Sequence, residues 1–165
     1  MSATTLSAQN WKQSLLERLP YLGHRNWIVV VDAAYPAQTS PGIETILCNE
    51  SQEQVVKVVI EELSKTKHVR PVVFLDKELQ YVNEANALGV SVYREAISTI
   101  LSKSKPEVLS HEKIISMLDE AGKTFKIILL KTRLTIPYTS VFFRLECGYW
   151  TEEAEKQLRE NMKEH

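Results

Sequence analysis

The chain has 165 residues, with 20 lysines and arginines against 21 aspartates and glutamates, a formal net charge of −1, and 44% apolar residues. Those values describe one soluble globular domain, long enough to bury roughly 70% of its unfolded surface without a metal or disulfide staple. The near balance of sign excludes a protein built to ride on phosphate backbone, so nucleic acid is not an expected partner.

Trp11, Leu15, Leu16 and Leu19 recur at helical spacing up to Pro20 and predict an amphipathic helix. Trp27 to Ala34 is short, β-branched and almost wholly apolar, which predicts a strand covered on both faces. A helix over Gln52 to Leu63 follows, with Asn49 and Ser51 as candidate caps. The cluster Lys65, Lys67, His68 and Arg70 reads as a solvated loop. Val69 to Leu75 is the next strand, its Pro71 placed at an edge or before the paired region. Asp76 is expected to cap a helix running to Leu88 and stopped by Gly89, with a further helix over Val92 to Leu101. Pro106 to Leu109 predicts a short strand, and Ser110 the cap of a helix over His111 to Glu120. Phe125 to Lys131 and Val141 to Glu146 are the last strands, and a polar tail from Thr151 predicts an exposed terminal helix. Strands alternating with helices define an α/β class, a single layered domain.

Several chemistries find no support. The five glycines are not spaced as a phosphate loop or dinucleotide fingerprint. Cys48 and Cys147 lie a hundred residues apart, which suits buried free thiols in a reducing, cytoplasmic setting. No apolar run approaches the roughly 20 residues needed to span a bilayer, so no membrane is expected. The histidines and cysteines form no metal-ligand spacing, and no nucleophile elbow occurs. No metal or other cofactor is expected.

Polar residues at strand ends are the better candidates for a site. Three places qualify: Gly23 to Asn26 before the first strand, with Asp32 near its far end; the Ser110-His111 turn; and Pro137 to Ser140 before the last strand. Asp32 carries most weight, because a carboxylate in an apolar strand must be paired, hydrogen-bonded or functional.

The run from Leu22 to Pro36, Gly-His-Arg-Asn followed by an apolar strand and Asp32-Ala33-Ala34-Tyr35-Pro36, resembles the signature of the D-ribose pyranase and L-fucose mutarotase family. Ser110-His111-Glu112 resembles its second motif, and Pro137-Tyr138-Thr139-Ser140 before an apolar strand resembles its third. The three stand in the family's order over about residues 8 to 148. The chain departs from the pattern at Asn26 (Asp in the family), Ser140 (Asn) and Ile115 (Lys in the ribose branch). The resemblance implies helices packed on a mostly parallel sheet, a mutarotase unit over 1–150 and a helical extension over 151–165. It implies an isomerase that opens and recloses the hemiacetal of a free monosaccharide, with His24 as catalytic proton donor. Asp32, His111, Tyr138 and Ser140 would bind the sugar. It also implies a homo-oligomer of rings, with a decamer as one size and sites at subunit contacts. Trp150 and the terminal helix run past the family's usual end and are expected at an interface, with cover for an apolar patch as the alternative. The three departures motivate an alternative, a sugar-binding or regulatory homologue without catalysis; a structural module that binds no sugar is the third reading.

Overall fold

In the computed structural model, which describes residues 10–164, the apolar runs become β1 (Trp27–Val31), β3 (Val69–Asp76), β4 (Glu107–Leu109), β5 (Ile127–Lys131) and β6 (Val141–Cys147), joined by β2 (Ile43–Leu47). Residues 1–9 of the expected 1–150 unit and His165 of the extension lie outside the described residues. The strands form one sheet in the order β2-β5-β1-β6-β3-β4. Five run parallel, and β6 alone runs antiparallel, hydrogen-bonded to β1 on one side and β3 on the other.

Among the described residues there are five α-helices: α1 (Trp11–Arg18), α2 (Gln52–Ser64), α3 (Val90–Ile100), α4 (His111–Gly122) and α5 (Glu152–Lys163). Strand periodicity sorts the core into two layers. Ile28 and Val30 of β1, with Ile128, Leu130 and Phe143, pack under α1, α2 and α3. Trp27, Val29 and Val31, with Leu129 and Phe142, pack under Ile114 and Leu118 of α4. Every residue of β1 is buried, as expected of a strand covered on both faces. Burying each such side chain is worth about 1.5–3 kcal/mol, so the double-sided core dominates the fold. Helix α5 buries none of its residues.

Ser51 caps α2, its hydroxyl accepting from Gln54 N–H at 3.2 Å. Pro71 falls where β3 has only β6 beside it, since β4 reaches just Phe74 to Asp76. The missing N–H of Pro71 therefore costs no ladder bond.

Three expectations need correction. The helix over Asp76 to Leu88 does not form: Asp76 ends β3, Lys77–Tyr81 make a 3-10 turn, and turns follow. The Asn83 side chain accepts from Ala85 N–H, offering the backbone a local turn in place of a helical ladder. Gly89, in the left-handed region at φ 94, then begins α3 instead of stopping a helix. Glu84 supplies that start by accepting from the N–H groups of Gly89 and Ser91 at 2.7 and 2.8 Å. Ser110 precedes α4 but makes no side-chain cap; the carboxylate of Glu78 accepts from His111 N–H instead, at 2.9 and 3.1 Å. Strand β2 carries no strand signature in the sequence, because its Ile-Glu-Thr-Ile-Leu run is half-exposed at the sheet edge.

After β6 the chain turns at Gly148, whose N–H donates to His68 O. A Cβ there would lie 2.5 Å from Lys67 O and 2.8 Å from Val69 N, backbone atoms that cannot move aside cheaply. Gly148→Ala is predicted to lower stability by about 1–3 kcal/mol, read as a reduced urea midpoint with unchanged slope.

Candidate functional site

The carboxyl ends of β1, β3 and β4 meet the amino end of β6 at one edge of the sheet. Ligand sites of open α/β sheets form at such an edge. A cleft of about 340 Å³ opens there, lined by Asp32, Tyr35, Asp76, His111, Tyr138 and Ser140, with Ile115 and Pro137 as apolar wall. That volume lies near the low end of the range for small-ligand pockets, about 300–1,000 Å³. Four of the five expected site residues, Asp32, His111, Tyr138 and Ser140, are thus brought together.

Asp32 follows β1 directly. Partial burial raises its pKa, and hydrogen bonds from the backbone of Tyr35 and Ala34, with the nearby Lys131 charge, pull it back. The Lys131 ammonium itself donates to Tyr35 O at 2.8 Å, tying β5 to the cleft wall. Burial pushes the Tyr35 hydroxyl up to about 12, so it stays protonated.

The feature that sequence reasoning missed is Asp76. Its carboxylate is fully buried, and Oδ2 lies 2.9 Å from His111 Nδ1, whose side chain is 37% exposed. Oδ1 is buried with no hydrogen-bond partner. Leaving such an oxygen unmatched costs about 1–3 kcal/mol. Burial pushes the Asp76 pKa up to about 6, against the lowering effect of His111 and with Glu78 and Asp32 adding to the rise. The signal was available: like Asp32, Asp76 ends an apolar run, but Asp-Lys-Glu also reads as a helix start.

Tyr138 stands edge-on to His111, ring centroids 5.4 Å apart at 83°. Its backbone is left-handed at φ 58, an uncommon conformation for a tyrosine that surrounding contacts must hold. A buried polar network does so. Gln52 Nε2 and Tyr93 Oη both donate to Thr139 O at 2.5 Å, and Thr132 Oγ1 donates to Gln52 Oε1 at 2.8 Å. Thr139 Oγ1 donates to Ile136 O, closing the loop beneath Tyr138.

His24, the fifth expected residue, is elsewhere. It precedes the amino end of β1 while Asp32 follows the carboxyl end, and five strand residues at about 3.3 Å each put roughly 16 Å between the two loops. Its Nδ1 lies 2.8 Å from Glu146 Oε2, and it lines a second cleft with Arg25, Arg70, Trp150, Glu155 and Arg159. The His24 ring is thus faced by a carboxylate from β6. Asn26 itself ties the loop, accepting from Gly23 N–H at 2.7 Å and donating to Lys126 O at 3.1 Å. Trp150 donates to Glu155 at 2.7 Å and forms a wall of this second cleft.

Among the described residues no group of three or more histidines, cysteines or acids could hold a metal, and no helix is long and apolar enough to cross a membrane.

No family model and no curated protein matches the sequence. Solved structures do share the fold. RbsD of Bacillus subtilis, solved with D-ribose, superposes with TM-score 0.57 at 21% identity over 81% of this chain and 91% of that one. The fucose mutarotase of Streptococcus pneumoniae, solved with L-fucose, gives 0.54 at 17% identity over 84% and 95%. FucU of Bifidobacterium longum gives 0.53 at 13% identity over 81% and 94%. The chain therefore has the RbsD/FucU fold, with five helices on a six-stranded, mostly parallel sheet among the described residues.

The Asp76 environment makes stability depend on pH. Folding raises its pKa from 3.8 to about 6, so folding favours the protonated form. That contribution is complete below about pH 4 and lost as pH rises through 6. Relative to Asp76→Asn, the wild-type protein is predicted to lose about 3 kcal/mol between pH 4 and pH 7, measured by urea unfolding of both proteins at each pH.

Proposed function

We propose that this chain is a divergent member of the ribose pyranase and fucose mutarotase family, an isomerase that interconverts anomers or ring forms of a free monosaccharide. The observation that carries the reading is the convergence of Asp32, His111, Tyr138 and Ser140 in one cleft on a fold shared with two proteins solved with monosaccharides. The chemistry suits those groups. Ring opening removes the proton of the anomeric hydroxyl, whose O–H pair becomes the second bond of the new carbonyl. The C–O pair of the ring then passes to the ring oxygen, which takes a proton. No electrons are gained or lost, and reclosure on the other face returns both protons. A base and an acid of near-neutral pKa are the whole requirement, and histidine meets it.

In this reading Asp32 and Ser140 hold sugar hydroxyls, Tyr138 covers the ring, and His24 is the proton donor. Ile115 gives the sugar an apolar wall where a charged group would otherwise stand. Since β1 separates His24 from the cleft of its own protomer, the proposal requires a second copy of the chain to present it. The active form is then a homo-oligomer, with a decamer as one size, and α5 of the 151–165 extension lies against the His24 loop at the subunit contact.

Saturation-transfer NMR tests the reading on ribose, fucose and related sugars. Acceleration of anomer exchange is expected, with His24→Ala reducing it about 10²- to 10⁴-fold. Unchanged exchange for all these sugars would overturn it, and a sugar that binds by calorimetry without acceleration would establish the noncatalytic alternative.

A further inference from the structure

We infer that Asp76 is the positioning residue of His111, fixing the ring proton on Nδ1 so that Nε2 is left as the base that takes the anomeric proton. The inference deepens the mutarotase reading and rests on it for the reaction, while the ring geometry stands independently. Asp76 Oδ2 lies 2.9 Å from Nδ1, a hydrogen-bond distance, and an ionised carboxylate can only accept. The proton between them therefore sits on the ring, and the other nitrogen is a free acceptor. Among the described residues Nε2 has no hydrogen-bond partner.

The setting suits an orienting carboxylate. Asp76 is wholly buried while His111 is partly open to the cleft, so the anchor is dry and the working edge accessible. Low dielectric strengthens the bond, and the negative charge meets the imidazolium formed when Nε2 takes its proton. His111 is held from two further sides, by Glu78 on its backbone N–H and by Tyr138 edge-on to its ring. The charged and titratable groups nearby are Asp32 after β1, Glu78 before α4, Lys131 of β5, and Tyr35 and Tyr138 on the cleft wall. With its pKa pushed up to about 6, Asp76 is ionised at neutral pH, when it can accept from the ring. A third group orienting a base within hydrogen-bond reach is the general pattern for such couples.

The experiment is ¹⁵N NMR of protein labelled in its histidine rings, on the full chain at pH 8, beside anomer-exchange rates. In the wild type His111 is expected as the Nδ1–H tautomer. Asp76→Ala should shift it toward the Nε2–H form usual in water and slow exchange about 10- to 100-fold. A wild-type His111 found mainly as Nε2–H, or a tautomer unchanged by Asp76→Ala, overturns the inference even if the protein accelerates exchange. The expected tautomer and its loss in the variant, in a protein without exchange activity, would sustain the positioning role and remove the mutarotase reading. Should Asp76→Ala not fold, the wild-type spectrum decides alone.

Discussion

The structure turns on one antiparallel strand. β6 lies between β1 and β3 and completes the backbone hydrogen bonding of both, which otherwise would be two separate parallel units. Because β6 runs the opposite way, its amino end lies beside the carboxyl ends of its neighbours. The loop from Pro137 to Ser140 is thereby delivered to the edge where Asp32 and Asp76 emerge, and His111 begins α4 from β4 next door. Four separate stretches of chain reach one cleft through strand polarity alone. The same strand carries Glu146 toward its far end, so the carboxylate facing His24 is fixed by that placement.

Polar burial around the cleft is uneven. Gln52, Tyr93, Thr132 and Thr139 are buried and mutually hydrogen-bonded, so the network specifies the loop carrying Tyr138 at little net cost. Asp76 is the exception: one oxygen is matched by His111 and the other by nothing. An apolar residue of similar size at the end of β3 would remove that penalty. That cost falls at the floor of the cleft, where Asp76 holds the ring of His111.

How far the sequence discloses this depends on the kind of constraint. β1 and β5 are legible because double-sided burial demands continuous apolar runs, and Asp32 is legible because a carboxylate interrupts one. β2 is hidden, since an edge strand with one partner tolerates Glu44 and Thr45 and shows no alternation. Asp76 is ambiguous because a carboxylate at a strand's end and one at a helix's start look identical in sequence. The distinction depends on the Asn83 turn, on Glu84, which caps α3 from five residues before Gly89, and on Glu78, which caps α4 from 33 residues away. A cap supplied from so far along the chain, as Glu78 supplies it, leaves no local signature. Gln52 is equally invisible, because its partners Tyr93, Thr132 and Thr139 come from three other segments.

Strand length sets the final constraint. A motif that places a histidine before a strand and an aspartate after it cannot bring the two together within one protomer, for the strand is rigid and about 16 Å long. His24 and Asp32 either serve different ends of the molecule or meet through a neighbouring copy. His24 is half-exposed and already oriented by Glu146, with Arg144 bonded to that carboxylate's other oxygen at 3.0 Å. The Asp76–His111 pair, by contrast, is complete within one protomer; in the proposed reaction the two histidines divide into an acid brought by a neighbour and a base held at home.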